Sequence, residues 1–557
     1  MKKNYLAFLC LFGTLAVFAQ DTKTLWQKDI SSSTQDFLSG LATTIDGQFL
    51  VSGSSIASPN PSKGGETSSQ SNNGYDYHIL KLDQQGQKVW EKYFGGTKHD
   101  YLAASVATQE GGFLLAGTSY SNQSGDKTEN NMGASDIWLV RLNENGEELW
   151  QKTLGTKSND DASSVVQTTD EGFFVAGNIN ENKKLFGSKD VFVSKLDKTG
   201  KLINTTIFGS KSLDEVTDMA PTSDGGAILA IYSTSGKSEN LNYSADNNSN
   251  ENNSPANQNG KTASELISTT KTFIGKSEGN FGNGDYWIVK LDKNASVEWQ
   301  KTFGGKEDDQ PKTIAFTENG YVIAGESRSQ PSGNKKGNIE EGTDIWILNL
   351  DKSGNEIWQK SYNFGNRDVA MSLDVIRKTN KDNFSEDKGF LLGGYTQAEG
   401  KVKSDDETFW MLYIDKNGKE VWRKYVEGKE KKQEERLVSA ILSRDGSYVL
   451  AGTSAEELGK ENWKIVKLLD SDVEDLIDSK NIQIYPNPVK DYCYVEIGLD
   501  FENADLYLYD MAGKVIQQLQ TKNKITKINT GKLPQGIYVV SAITSENKKL
   551  STKIVKE

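Results

Sequence analysis

The sequence predicts an all-β fold, a seven-bladed β-propeller of four-stranded antiparallel blades followed by a small C-terminal β-sandwich. Two strand motifs alternate seven times along residues 20–469, and the first and last copies are complementary halves. Runs with the two-residue period of half-buried strands then fill residues 481–557. Units of four short strands separated by turn residues are typical of propeller blades.

The first motif is an Asp, an apolar strand, a Gly turn and a second strand carrying Trp-x-Lys. Its copies lie at 76–96, 136–155, 190–209, 285–305, 344–365 and 408–428, with a half copy at 462–470. The second motif, a Gly-rich turn and an apolar strand, lies at 46–53, 110–117, 170–177, 224–231, 318–325, 387–394 and 445–452. The unit 150–204 therefore holds four predicted strands, at 150–154, 162–167, 173–177 and 191–196. The recurrent Trp, such as Trp138, is expected to fill the wedge between blades.

The two ends of the repeat region complement each other. A lone strand over residues 25–29 carries Trp26, whereas the last repeat ends at 463–469 without its Trp-x-Lys strand. The first strand therefore supplies what the last blade lacks, and we predict a ring closed by pairing the two, which removes exposed sheet edges. An open β-solenoid is the alternative, and it leaves the half-repeats unexplained.

The N-terminus has the anatomy of a secretory signal peptide over residues 1–19. Lys2 and Lys3 precede an apolar run, and Val17 and Ala19 are small residues before a cut ahead of Gln20. The run is too short for a membrane anchor. Cys10 lies inside the run and is expected to leave with the peptide.

Composition narrows the function classes. The formal charge of −13 becomes −15 without Lys2 and Lys3, which disfavours a nucleic-acid partner. Cys493 would be the one remaining cysteine, so no intrachain disulfide is expected and Cys493 is predicted to be a buried strand residue. His78 and His99 are the two histidines, and neither has metal-ligand spacing or the companions of a His-based triad.

The C-terminal residues carry three motifs in order. The opening turn consists of Tyr485, Pro486, Asn487 and Pro488, and the central hairpin turn contains Gly513 and Lys514. The start of a late strand carries Leu533, Pro534, Gly536 and Tyr538. On these residues the stretch 481–557 resembles the type A C-terminal sorting domain of the type IX secretion system, which Bacteroidetes use to export proteins across the outer membrane. Gly513 and Gly536 are placed where hairpins need a positive φ. Residues 470–480 form an acidic linker to this domain.

The resemblance implies a destination and two partners. It implies recognition by the outer-membrane translocon and removal by its sortase, so the protein is expected to be secreted or displayed on the outer cell surface after passing through the periplasm. No transmembrane segment is expected after signal cleavage.

The repeats differ mainly in the connections at 54–75, 118–135, 231–284 and 326–343, which are rich in Ser, Asn, Gly and Lys. All are expected on one rim of the propeller. The Asn/Ser-rich insertion near 234–283 has too few apolar residues to offset the entropy of ordering, and we predict it to be disordered. These connections could bind a ligand or serve as spacers.

A recurring acidic position precedes the strands expected to line the central tunnel. Its members are Asp36, Asp100, Asp160, Asp214, Asp308, Asp368 and Glu435. Such a ring could bind Ca²⁺ through carboxylate oxygens, or each Asp could cap a local turn. Repetition in every blade favours the capping alternative. A second Asp family, including Asp197 and Asp415, is explained by hairpin turns.

We expect a non-catalytic binding or adhesion protein, with a propeller face that takes a glycan or a protein, and without a cofactor. The alternatives are a polysaccharide-acting hydrolase or lyase, because two carboxylates suffice for a glycosidase, and a structural component of the cell surface.

Overall fold

A computed structural model describes residues 23–30, 36–56, 74–180, 186–237, 271–340, 342–379, 385–397, 408–426, 434–443, 445–455, 462–474, 476, 482–499 and 501–557. The predicted signal peptide and residues 238–270 of the predicted insertion lie outside these residues. Among the described helices none is long and apolar enough to span a membrane.

Repeated antiparallel sheets fill the N-terminal part of the chain, and each follows chain order from its first to its fourth strand. Sheet 1 is β2 (Phe37–Thr43), β3 (Phe49–Ser55), β4 (Asp76–Leu82) and β5 (Lys88–Phe94). Sheet 2 is β6 (Asp100–Ala107), β7 (Phe113–Ser119), β8 (Asp136–Leu142) and β9 (Glu148–Leu154). Sheet 3 is β10 (Asn159–Gln167), β11 (Phe173–Asn180), β12 (Lys189–Leu196) and β13 (Leu202–Gly209).

The pattern continues through three further sheets. Sheet 4 is β14 (Asp214–Pro221), β15 (Ala227–Ser233), β17 (Asp285–Leu291) and β18 (Val297–Phe303). Sheet 5 is β19 (Asp309–Phe316), β20 (Gly320–Ser327), β21 (Asp344–Asp351) and β22 (Glu356–Tyr362). Sheet 6 is β23 (Arg367–Thr379), β24 (Ser385–Gln397), β25 (Thr408–Asp415) and β26 (Glu420–Val426). The all-β class and the four-stranded antiparallel sheets are confirmed.

Sheet 7 joins the two ends of the repeat region. It contains β27 (Glu434–Leu442), β28 (Tyr448–Ala455) and β29 (Asn462–Leu469), and its fourth strand is β1 (Lys23–Ile30). Strand β1 pairs antiparallel with β29 from Lys23 opposite Leu469 to Ile30 opposite Trp463. The N-terminal strand thus occupies the place that the half-repeats predict for it.

Neighbouring sheets pack through a cyclic series of contacts. The first strands touch in the order β2, β6, β10, β14, β19, β23, β27 and again β2. Seven apolar clusters lie between successive sheets, and one of them joins sheet 7 to sheet 1. This cyclic order is the one expected for a seven-bladed propeller, and the closed propeller stays a prediction.

The recurrent Trp residues hold these interfaces together. The third-strand members are fully buried, namely Trp138, Trp287, Trp346, Trp410 and Trp463. The fourth-strand members reach the next sheet instead: the indole of Trp26 packs on Gly86, and that of Trp358 on Gly418. Both glycines have a positive φ, so a side chain there would be strained and would also meet the ring.

Two segments contain more structure than the sequence predicts. Part of the insertion predicted near 234–283 is ordered, because β16 (Lys271–Gly275) adds in parallel to β13 as a fifth strand of sheet 3. Part of the predicted linker 470–480 packs on sheets 6 and 7, where the short helix α1 (Ser471–Glu474) begins. Val473 and Leu476 bury their side chains there, and Lys424 forms an ion pair with Asp470.

The C-terminal domain is a sandwich of two sheets around its own apolar cluster. One sheet has the order β30 (Ile482–Tyr485), β31 (Tyr492–Ile497) and β34 (Ile525–Asn529). The other has the order β33 (Val515–Thr521), β32 (Ala504–Tyr509), β35 (Gly536–Thr544) and β36 (Lys549–Lys556). Cys493 is buried in β31, as predicted, and burial raises the pKa of its thiol to about 12.

Candidate functional site

The recurring acids lie at the start of the first strand of each sheet. We call this edge the loop rim, because the connections between second and third strands also emerge here. Asp100, Asp160, Asp214 and Asp368 each accept the backbone N–H of the residue four positions earlier. Asp36 is buried just before β2, and Glu435 lies at the matching position in β27. The contacts of the four residues are those of local turn caps.

The acid predicted in the fifth repeat is displaced by one residue. Asp309, rather than Asp308, is buried at the start of β19 and accepts the N–H of Gly305 at 2.6 Å. Asp308 lies beside it and accepts the hydroxyl of Tyr232 at 3.0 Å. The hairpin after β19, from Thr317 to Gly320, is one residue shorter than its counterpart from Thr108 to Gly112, so a count back from the Gly turn lands one residue too early in the chain.

Buried aspartates at the start of the third strand in sheets 1 to 5 form a second row, which faces the first across the interfaces between sheets. Asp136 at the start of β8 and Asp160 of the next sheet both lie against Gly155. Burial, together with the facing Asp136 carboxylate, raises the pKa of Asp160. Burial and the Asp214 carboxylate raise the pKa of Asp190 to about 7. Each pair therefore retains a proton at a pH where free carboxyls are ionised.

These acids are not gathered into a metal centre in the part of the chain that the structure describes. No group of three or more His, Cys, Asp or Glu side chains there could hold a metal ion. The hairpin acids serve turns as well: Asp197 accepts the N–H groups of Thr199 and Lys201 at 2.8 and 3.0 Å.

A buried lysine organises the connection 120–135 at the loop rim. The Lys127 ammonium donates to the Ser119 hydroxyl and the Ser121 carbonyl, both at 2.9 Å, and lies over the Trp138 ring. Lys276 and Lys335 lie over Trp287 and Trp346 in the same way. Each of the three lysines therefore lies against the Trp of its own sheet.

The loop rim of sheets 1 and 2 carries a cluster of partly exposed aromatic rings. We call this the aromatic platform, and it consists of Phe37, Tyr75, His99, Tyr101 and Tyr120. The imidazole of His99 stacks on Tyr101 with centroids 5.6 Å apart and an interplanar angle of 15°. Tyr75 lies 5.4 Å from Tyr101 and 5.1 Å from Phe37. Phe37 and Tyr120 are each 39% exposed.

Hydrogen bonding and burial fix the polar groups of the platform. The backbone N–H of Tyr75 donates to Nδ1 of His99 at 3.2 Å, so the neutral imidazole carries its proton on Nε2. Burial and the neighbouring Tyr75 and Tyr120 raise the pKa of Tyr101. The platform therefore offers hydrogen-bond donors among apolar ring faces.

The platform breaks the symmetry of the repeats. Phe37 and Tyr101 each follow the recurring Asp, where the next four sheets have Asp161, Glu215, Gln310 and Val369. The position of His99 is taken elsewhere by Asn159, Leu213, Asp308 and Arg367. Sheets 1 and 2 therefore share an aromatic residue at a position that varies among the next four sheets. Sequence reasoning missed this site, although the aromatic substitutions are visible in the aligned repeats.

The second histidine also departs from the repeat. His78 occupies the position that the buried third-strand Trp has in other sheets, and Glu91 occupies the position of the Gln that partners that Trp. Nε2 of His78 contacts Glu91 Oε1 at 2.9 Å. Nδ1 lies 2.9 Å from the Ser55 hydroxyl, and the ring stacks between Tyr93 and Trp463. Ser55 and His78 are 2% and 3% exposed, so the imidazole is enclosed at the seam between sheets 1 and 7, whereas Glu91 is half-buried.

The opposite edge of the sheets, which we call the turn rim, holds an open cavity of about 430 Å³. Its polar lining is largely bonded to itself: Gln167 accepts the N–H of Gln109 at 2.8 Å, and Arg377 donates to the Phe316 carbonyl at 2.7 Å. We therefore place the candidate binding site at the aromatic platform.

The predicted motif residues of the C-terminal domain lie at its turns. Gly513 has a φ of 82° in the turn that ends at Lys514, as predicted. Gly536 also has a positive φ, 157°, as predicted, and it is the first residue of β35. Tyr538 donates its hydroxyl to the Pro534 carbonyl at 2.8 Å, which fastens the turn that contains Leu533. Tyr485, Pro486, Asn487 and Pro488 connect the end of β30 to the segment before β31.

Residues 483–557 match the family model of the secretion system C-terminal sorting domain. No curated protein matches the chain. Among solved structures, Sqt1 from Chaetomium thermophilum is similar at 11% identity, with 81% of this chain and 100% of that chain covered and a TM-score of 0.40. The polysaccharide lyase Uly1 is similar at 9% identity, with coverages of 80% and 99% and a TM-score of 0.37. PorZ, a surface component of the type IX secretion system of Porphyromonas gingivalis, is similar at 11% identity, with coverages of 95% and 82% and a TM-score of 0.16.

The chain therefore carries a type IX sorting tail, which addresses it to the secretion machinery and to the outer cell surface or the medium.

Proposed function

We propose that this protein is a non-catalytic surface protein that binds a glycan on its aromatic platform. The observation that carries the proposal is the symmetry-breaking stack of His99, Tyr101 and Tyr75 at the loop rim. The sorting tail supports an extracellular setting, where cell-surface and environmental glycans are abundant. Processing of the tail by the sortase completes the proposed route.

The chemistry of the platform suits a sugar ring. One face of a hexose presents C–H groups, which are attracted to the electron-rich face of an aromatic ring. Tyr hydroxyls and the His99 Nε2–H can then bond the ring oxygens and hydroxyls at its edge. The formal charge of the mature chain, −15, repels polyanions, so we propose a neutral glycan as the ligand.

A panel of neutral and anionic glycans tests the proposal on the mature full-length protein, with and without Ca²⁺. Tyr101→Ala removes the ring shared by most contacts of the platform and should weaken binding at least tenfold, a loss of about 1.4 kcal/mol or more. Phe281→Ala is the matched control, because Phe281 is 46% exposed in the corresponding connection of sheet 4. Equal losses for the two variants, or no binding by the wild type, would contradict a platform ligand; the second result would favour a structural surface component.

A polysaccharide lyase is the second candidate, because an imidazole and a phenol lie together in the platform. His99 and Tyr101 could supply the acid and base groups that β-elimination needs. Because β-elimination removes the acidic C5 proton of a uronic acid, incubation with the uronic-acid polysaccharides among the anionic glycans of the panel distinguishes the two functions. Appearance of unsaturated product, lost in His99→Ala, would overturn the non-catalytic proposal.

A further inference from the structure

The sorting tail is docked on the propeller rather than held by the linker alone. Its three-stranded sheet of β30, β31 and β34 lies against the turn rim of sheets 1 and 2. Tyr485 donates its hydroxyl to the Ile45 carbonyl at 3.3 Å, and Tyr492 donates to the Glu110 carbonyl at 3.2 Å. These partners come from two turns in different sheets, so the contact spans both sheets.

Gln84 is a buried polar residue at this contact, with 8% of its surface exposed. Its side-chain carbonyl accepts the backbone N–H of Lys524 at 3.1 Å, and its amide donates to the Ile525 carbonyl at 3.4 Å. The same amide donates to the Asp46 carbonyl at 3.1 Å. One buried side chain therefore binds both the propeller turn and the tail backbone.

Apolar packing accompanies these bonds. Gly47 lies so close to Ile525 that an added Cβ would come within 2.6 Å of its Cδ1 atom. Gly47 has a φ of 71°, so its turn brings the backbone into direct contact with the tail. The turn and the tail are complementary in shape as well as in hydrogen bonding.

An ion pair borders the contact. Lys527 of β34 lies 2.8 Å from both carboxylate oxygens of Glu144, in the turn between β8 and β9. Its ammonium also lies over the Tyr492 ring, 4.1 Å from the centroid. The side chains of Lys527 and Glu144 are 37% and 40% exposed, so the pair lies at the edge of the contact and can be altered without disturbing a core.

We infer that the tail remains bound to the propeller after the chain is cut between them, so that the two pieces form a non-covalent complex. The partner of this propeller surface is thus the sorting domain of the same chain. The aromatic platform lies on the opposite rim and remains open in the complex. Retention of the tail therefore leaves the proposed ligand site accessible.

A cleavable full-length protein tests the inference. A protease recognition sequence is inserted after Asp478, the purified protein is cut, and the products are separated by size-exclusion chromatography at about 10 μM. We expect the two pieces to elute together. Complete separation of the wild-type pieces would overturn the inference.

Charge reversal then locates the contact. Glu144→Lys should raise the dissociation constant of the cut pieces by roughly two- to thirtyfold, because it removes an attraction and adds a repulsion of similar size. Adding Lys527→Glu should restore retention. Glu147→Lys is the control, since Glu147 lies in the same turn and is bound by Asn143 there. Equal effects of the two single reversals, or no rescue by the double variant, would contradict this docking surface; circular dichroism confirms that each variant is folded.

Discussion

Raising the pH from about 5 to about 7 is expected to destabilise the propeller, through the aspartates buried between its sheets. Burial and a facing carboxylate raise the pKa to about 7 for Asp190 and Asp285, and to about 6 for Asp368. In the unfolded chain the pKa of each is near 3.9. Between the unfolded and folded values, the folded protein therefore holds a proton that the unfolded chain has lost.

The sign follows from proton linkage. A carboxyl with a raised folded pKa contributes stability at low pH, and that contribution is lost as the pH rises through the folded value. One such proton changes the free energy of unfolding by about 1.4 kcal/mol per pH unit, so these three contribute about 4 kcal/mol per unit between about pH 5 and 6. Burial also raises the pKa values of Asp160, Asp218 and Asp374, which makes the slope steeper. Glu91 and Asp224, whose pKa values are lowered to about 2, titrate below this window.

Urea unfolding at a series of pH values measures the slope. Asp190→Asn removes one titrating group while its side-chain carbonyl can still accept from the Phe186 and Gly187 N–H groups, so the slope should fall by about 1.4 kcal/mol per pH unit. Asp197→Asn is the control, because hydrogen bonds in its exposed turn hold the pKa of Asp197 below its usual range. Stability that rises between pH 5 and 7, or an Asp190→Asn slope equal to wild type, would refute the reasoning.

Two further predictions concern the ring. Trp346→Ala should lower the free energy of unfolding by about 3–5 kcal/mol, because the indole is fully buried. Trp358→Ala should lower it by less, because the ring of Trp358 is half-buried in the same sheet. Equal losses in urea unfolding would show that the third-strand Trp does not dominate the interface. Deletion of β1 exposes the edge of β29 and should produce oligomers by strand pairing, seen by light scattering. A monomeric deletion variant of unchanged stability would contradict closure through β1.

The fold could be predicted from the sequence because the same strand and turn motifs recur in successive repeats. Period-two strands, Gly turns and Trp-x-Lys recur, and the unmatched halves at Trp26 and Trp463 predict the pairing of β1 with β29. Counting along the repeat failed where a turn changes length, as at Asp308 and Asp309. It also failed for β16, since an edge strand added in parallel depends on a distant partner rather than on the repeat.

The candidate site was harder to predict from the sequence. The recurring acids were the notable residues in the repeat pattern. In the structure, the acids with described contacts cap turns or lie between sheets. Tyr101 and His99 are separated in the chain from Phe37 and Tyr75, and the ring structure alone brings them together. The docking of the tail depends on backbone carbonyls such as that of Ile45, which no side-chain pattern reports.

Hydroxyl-radical footprinting with a bound neutral glycan tests the central claim most directly, because it reports which side chains the ligand covers. Our account predicts reduced oxidation of the platform residues Phe37, Tyr75, His99, Tyr101 and Tyr120, with Phe281 and Tyr425 unchanged. Protection at the turn rim, or uniform oxidation in a sample where binding is complete, would contradict it.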